Sequence, residues 1–336
     1  MDGKFPAAVG IVGAAAALPD TTMPTDVLQE RLSAAGFALS TGLLRRATGI
    51  ESRRIVADDE FPSTLAAAAA EKLIEAKRVD RSEIDLLIFA SASRDIVEPA
   101  TAHIVQSMLG TDAHAFDMSN ACNSFLNGLD AARALILAGR ARRALVVTGE
   151  TPTRAMRWEP RDAAAFRDSF AGYTFGDAGA AVLLEPVSTG GILYVDTSTH
   201  SELWNAGGIM GGGSRFPRSA EHTYFSGDGN DLKDAFEKVG PDAIARLFSA
   251  TATSWDDYAR VLVHQVTLPY LDRFVESTAA PRDKIVVTVT ELGNVASATI
   301  PVQLAAVYDQ LAPGDRVLFI GLGGGISIMT MVWEKA

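Results

Sequence analysis

The chain has 336 residues, 48% of them hydrophobic, and a formal net charge of −11. This is enough for a large core in two domains, or in one domain built from two similar halves, and it argues against generic nucleic-acid binding. A single cysteine excludes an internal disulfide and any multi-cysteine zinc site, and no apolar run reaches the ~18 residues of a membrane span.

The first stretch, MDGKFPAAVGIVGAAAALPD, has no basic region ahead of a long apolar run, and Pro19 and Asp20 end it. It reads as a first strand over 8–14, not a signal peptide, so a cytoplasmic location is expected. Helical spacing predicts helices over 63–77, 101–109, 122–138, 231–248, 268–277 and 296–311. Short apolar runs predict strands over 86–90, 144–148, 178–184, 261–264, 285–289 and 317–321. Alternation of this kind predicts layered α/β structure.

An internal repeat underlies the alternation. A shift of about 173 residues lays 86–91 on 259–264 and 143–147 on 316–320, and carries the helix start at Cys122 to Val295. A duplicated unit would bring Cys122 and Asn294, at matching corners of the two halves, close together, with His264 beside them.

Each corner carries a group with chemistry. Cys122 is expected at a helix N-terminus, where unpaired N–H groups favour an anion, so its thiol is expected to ionise easily and act as a nucleophile. His264 ends a buried strand in VLVHQVTLPY, and Asn294 lies in ELGNVASATIP at a glycine-containing corner. Together they offer an activated thiol and two neutral donors for an oxyanion or enolate. Taken singly, they read as a small buried hydrophobe, a core histidine and a helix cap. The loop GLGGGIS, 321–327, allows close backbone approach to a ligand or a tight hairpin, and no Gly-Lys-Ser/Thr follows to make it a P-loop. Arg45-Arg46, Arg53-Arg54 and Arg140 with Arg142-Arg143 are either a basic patch for an acidic carrier protein or ordinary solvated arginines.

Over nearly its whole length the chain resembles the thiolase superfamily of condensing enzymes, in its ketoacyl synthase III branch. SNACNSFLNGLDAA is similar to the nucleophile helix, HQVT to the His-Gln-Ala-Asn motif and LGNVASATIP to the Gly-Asn-x-x-Ser/Ala motif. TFGDAGAAVLLE is similar to the strand that opens the second half, and LGGGIS to the terminal oxyanion loop. SRDIVEPATAHIV most resembles the acyl-CoA condensing enzymes of the OleA type and related pyrone-forming synthases. There a Glu in an Arg-Asp-x-x-Glu-Pro segment reaches across a dimer and removes an α-proton. The resemblance makes Glu98 that base, while spacing alone makes it a solvated carboxylate at a cap before Pro99.

The resemblance implies a homodimeric, five-layered α-β-α-β-α thiolase fold, with halves at 1–172 and 173–336. It implies a Claisen condensation of two acyl thioesters through an acyl-Cys122 intermediate. Backbone N–H groups of Cys122 and Gly324 would form the oxyanion hole, and His264 and Asn294 would hold the enolate. Neither a metal nor a redox cofactor is expected; coenzyme A or acyl carrier protein would only carry the acyl group. Leu43 and Ala47 stand where ordinary ketoacyl synthase III enzymes hold coenzyme A with an aromatic residue and an Arg, and Thr267 and Pro269 also depart from their pattern. These departures point away from malonyl-carrier-protein recognition. Decarboxylative condensation of a malonyl thioester, acyl transfer to an alcohol or amine, and a catalytically silent partner subunit are the alternative readings.

Overall fold

The computed structural model describes residues 8–36, 39–227 and 229–336, with the backbone alone over 229–239. Strand β1 (Ala8–Ala17) precedes a ribbon, β2 (Thr21–Pro24) with β3 (Ser52–Ile55), which brackets helices α1 (Thr25–Ala34) and α2 (Leu43–Thr48). Then come α3 (Pro62–Lys77), β4 (Leu86–Ala90), α4 (Thr101–Leu109), β5 (His114–Met118), α5 (Ser124–Leu137), β6 (Ala144–Glu150), α6 (Ala163–Asp168) and β7 (Ala178–Val187). Strand β8 (Gly191–Thr199) is followed by a second ribbon, β9 (Gly207–Ile209) with β10 (Phe225–Gly227), and by α7 (Gly229–Thr251). The chain closes with β11 (Arg260–Val263), α8 (Leu268–Thr278), α9 (Val289–Leu292), α10 (Thr299–Val307), β12 (Arg316–Gly323) and β13 (Ser327–Glu334).

Two sheets carry the duplication. The first has the order β1-β7-β6-β4-β5, with β4 parallel to both β5 and β6 and the other pairs antiparallel. The second has the order β8-β13-β12-β11, with β11 parallel to β12 and the rest antiparallel. Order and direction match strand for strand. The fifth place, expected as a strand over 285–289, is reduced to one parallel bridge between Val261 and Ile285, because α9 begins at Val289. The sheets divide the chain later than 172/173. Strand β7, in the segment expected to open the second half, pairs with β1 and β6 in the first sheet, and the second sheet begins at β8.

Side chains alternate across each buried strand, so both faces of each sheet must be covered. Along β4, Leu86, Ile88 and Ala90 face one core, while Leu87 and Phe89 face another. The central core takes Phe125 and Leu129 of α5, Ile300 and Leu304 of α10, and the inner faces of both sheets. Helices α3 and α4 cover the outer face of the first sheet, and α7 and α8 that of the second. The result is the expected five-layered α-β-α-β-α stack, with α5 and α10 as its middle layer. Among the described residues no helix is long and apolar enough to cross a membrane.

Candidate active site

The corner after β5 delivers the thiol. Ala121 has φ 47°, which turns the chain sharply, and Ser124 ties the turn by donating its hydroxyl to Ala121 O (2.6 Å). Helix α5 starts at Ser124, two residues later than expected. Cys122 is half-buried, and the backbone N–H groups of Gly324 and of Cys122 itself are directed at its sulfur. Those donors favour a thiolate, but they do not prevail. Burial first, and the Glu150 carboxylate second, push the Cys122 thiol up to about 12. These influences run against the expectation of an easily ionised thiol and favour a neutral thiol at rest.

His264 follows β11 and is 4% exposed; its backbone N–H donates to Ile320 O of β12 (2.9 Å). Burial pulls the imidazole down to about 4, against a smaller opposing effect of the Ala296 backbone carbonyl, which accepts a ring N–H and favours the protonated form. A neutral ring that donates one N–H to that carbonyl leaves its other nitrogen as an acceptor, able to take a proton. Nδ1 lies 3.3 Å from Thr299 Oγ1.

Asn294 sits where two segments pass unusually close. It forms a parallel bridge with Phe175, donating its N–H to Thr174 O (2.8 Å) and accepting from Gly176 N–H (3.1 Å). Gly293 has φ 69°, and a Cβ there would lie 2.6 Å from Thr174 O, so glycine is required on both counts. Asn294 Oδ1 accepts the N–H of Ala296 (3.0 Å), which leaves its Nδ2 group as the donor. The Ala296 backbone thus anchors both residues, its N–H on Asn294 and its carbonyl on His264. Strand β12 completes the gathering: Ile320 holds the His264 backbone, and Gly324 just beyond the strand reaches Cys122.

Glu98 is placed differently. It is exposed on the loop between β4 and α4, beside Ile96 (46% exposed) and Val97 (67% exposed). Helix α4 starts at Thr101, and its first N–H groups, of Thr101 and Ala102, are capped by Asp117 (2.8 and 2.7 Å), so Glu98 is not the cap. Within one chain the carboxylate whose charge reaches Cys122 is Glu150.

Most of the arginines expected as a basic patch are used internally. Arg53 is fully buried and donates to the Tyr173 and Phe175 carbonyls, and burial lowers it to about 10. Arg45 pairs with Asp26 and Glu51, and Arg143 with Glu83 and Glu185. Thr267, a departure from the family pattern, caps α8 by accepting the Tyr270 N–H (3.2 Å), with Pro269 in its first turn.

The sequence pattern did not single out Glu150 or Ser297. Glu150 is 0% exposed at the end of β6, and Ser297 donates its hydroxyl to it. A charged residue closing an apolar run, ALVVTGE, was the available signal.

Residues 116–202 match the model of 3-oxoacyl-[acyl-carrier-protein] synthase III, and residues 248–335 match that of its C-terminal region. The chain is 32% identical over 317 residues to a β-ketoacyl-[acyl-carrier-protein] synthase III of Clostridium perfringens, covering 92% of this chain and 94% of that one. It is 34% identical over 299 residues to one of Novosphingobium aromaticivorans, covering 83% and 86%. Among solved structures, a variant of Xanthomonas campestris OleA superposes with a TM-score of 0.89 at 26% identity over 98% of both chains. Another OleA variant, with bound lauric acid and lauroyl-CoA, gives 0.88 at 26% identity, over 97% of this chain and 99% of that one. The OleA variants are altered at a Glu, a Cys and a His. That Cys and His are 142 residues apart, as are Cys122 and His264, and that Glu precedes the Cys by 26 residues, against 24 from Glu98 to Cys122. The chain belongs to the 3-oxoacyl-[acyl-carrier-protein] synthase III family of thiolase-fold condensing enzymes.

Proposed function

We propose that this condensing enzyme joins two acyl thioesters by a non-decarboxylative Claisen condensation. The neutral Cys122 thiol gives its proton to the neutral His264 imidazole as sulfur attacks the first thioester. The N–H groups of Cys122 and Gly324 stabilise the tetrahedral oxyanion. Its collapse expels coenzyme A, or a carrier-protein thiol, as a thiolate that solvent protonates, and leaves acyl-Cys122 beside a His264 that has kept the proton. Glu98 of a second copy of this chain then takes the α-proton of the second thioester. Protonated His264 and Asn294 donate to the enolate oxygen. Carbon attack on acyl-Cys122 yields a β-ketoacyl thioester and expels the Cys122 thiolate, which takes its proton back from His264, while Glu98 gives the α-proton to solvent. No step calls for a metal or redox cofactor.

The carrying observation is Glu98. It stands on an exposed loop with apolar neighbours, at a chain separation from Cys122 close to that of the glutamate altered in OleA. An exposed carboxylate flanked by Ile96 and Val97 suits delivery to another subunit. OleA with lauroyl-CoA supports an acyl-CoA as carrier. The curated relatives, named for acyl-carrier-protein substrates, favour a second reading in which a malonyl thioester loses carbon dioxide. Product analysis with acyl-CoA alone, and with malonyl-CoA added, separates the two. The first reading expects product from acyl-CoA alone and its loss in Glu98→Gln. Product only with malonyl-CoA, with stoichiometric carbon dioxide and a fully active Glu98→Gln, establishes the second.

A further inference from the structure

Glu150 is a buried carboxylate to which the chemistry above gives no task. It closes β6, has no solvent exposure, and draws its hydrogen-bond donors from two separate parts of the chain, 91–93 and Ser297. Its Oε1 accepts from Ala92 N–H (2.7 Å), from Ser91 Oγ (2.9 Å) and from Ser297 Oγ, and its Oε2 from Ser93 N–H (3.0 Å). Thr148 Oγ1 lies between the two serine hydroxyls, 3.2 Å from Ser91 and 2.9 Å from Ser297. Two of the donors are backbone N–H groups, which can only donate, so the site needs acceptor-only oxygens. Burying a carboxylate is costly unless it is fully hydrogen-bonded, and here it is paired with donors rather than with a cation.

The donors belong to the segments that carry the reacting groups. Ala92 and Ser93 begin the loop that contains Glu98. Ser297 follows Ala296, whose backbone anchors both Asn294, through its N–H, and His264, through its carbonyl. We propose that Glu150 is a positioning residue, whose carboxylate holds the Glu98 loop of the first half in register with the Ala296–Ser297 corner of the second. One side chain thereby sets the base and the enolate donors together. An apolar residue of the same size would avoid the desolvation cost but would leave the Ala92 and Ser93 N–H groups without acceptors. The inference rests on the roles proposed above for Glu98, His264 and Asn294.

The test uses three full-length variants: Glu150→Gln, Glu150→Asp and Ser297→Ala. Gln presents an amide NH₂ to backbone donors, Asp keeps the charge but shortens the reach, and Ala deletes the donor from the second half. Each is measured for Cys122 acylation by an acyl-CoA, for condensation, and for the pH profile of Cys122 alkylation by iodoacetamide. We expect condensation to fall by about tenfold or more in all three, with acylation within about threefold of wild type, because misplacement affects the step that needs both segments. The alkylation profile should move to lower pH in Glu150→Gln, which loses the negative charge near the thiol, and stay in place in Glu150→Asp. If Glu150→Gln fails to fold, the other two variants decide the matter by the same split. Condensation at wild-type rate in the folded variants, or an equal fall in acylation and condensation with unmoved profiles, overturns the proposal. If wild type condenses only with malonyl-CoA, the reaction proposed above is revised, and the same split is read with that substrate. The alkylation profile needs no substrate in either case.

Discussion

The two corners that build the site share a backbone and differ in what they present. In the first half Ala121 has φ 47° and the Ser124 hydroxyl donates to Ala121 O; in the second Ala296 has φ 46° and the Thr299 hydroxyl donates to Ala296 O (2.9 Å). This correspondence sets Cys122 against Ser297, not against Val295 as the 173-residue shift expects, because the second half gains two residues between its strand and this corner. The thiol of the first corner receives the N–H of Gly324 from the second half, whereas the hydroxyl of the second corner donates to Glu150 of the first. A duplicated turn has thus been kept for its shape and given opposite polarity. One corner meets donors and suits a developing anion. The other is bound to an acceptor and holds neighbouring donors still.

The largest effect expected from breaking this contrast is at the donors. His264→Ala and Asn294→Ala should each lower condensation by about 10²–10³, the usual loss for one oxyanion-type donor. Asn294→Ala should leave acylation of Cys122 much less affected, because Asn294 enters only at the enolate. Single-turnover acylation beside steady-state condensation checks this, and equal losses in the two steps would remove Asn294 from the enolate site.

A swap sharpens the comparison. In Cys122→Ala combined with Ser297→Cys, a thiol sits on the matching turn but faces Glu150 in place of the Gly324 N–H. It should gain no acyl mass in intact-protein mass spectrometry. Acylation at position 297 would mean that the turn, and not the donors that meet it, makes the nucleophile.

The pH dependence follows from the shifted groups. The thiol ionises near 12 and the imidazole protonates only near 4, so the resting pair is neutral between them. Iodoacetamide alkylation of Cys122 should then rise roughly tenfold per pH unit from about pH 7 to 10 without levelling, because the thiolate fraction grows throughout. A plateau beginning near about pH 6–7 would reveal a thiolate–imidazolium pair instead.

The smallest effect concerns the helices that flank the corners. Helix α4 is capped from another strand by Asp117, while α8 is capped by its own Thr267. Thr267→Ala should cost about 1 kcal/mol in denaturant unfolding and leave turnover unchanged. A loss of activity without a loss of stability would make Thr267 a substrate contact.

Much of this architecture can be read from local pattern. Strand β4 and helix α4 fall on their expected bounds, since a five-residue apolar run and a helical stripe are signals carried by adjacent residues. Cys122, His264 and Asn294 are legible because each follows an element end, where α/β sites form. Helices α1 and α2 and strand β8 were not expected. Strand β8 is mostly half-exposed, without the continuous apolar run that marks the inner strands. The upward shift of the thiol was hidden for another reason. It depends on Glu150, 28 residues away in sequence, and on the burial that the whole stack imposes. The anchoring of His264 and Asn294 by the backbone of one residue, Ala296, is likewise a product of the folded corner.

The central claim is that Cys122 carries an acyl group to a carbanion that Glu98 generates. Wild type, Cys122→Ala and Glu98→Gln can each be mixed with one acyl-CoA, then followed by intact-protein mass spectrometry and by product analysis without malonyl-CoA. The account predicts one added acyl mass and a β-ketoacyl product for wild type, neither for Cys122→Ala, and the acyl mass without product for Glu98→Gln. An acyl mass retained in Cys122→Ala, or full product from Glu98→Gln, would contradict it.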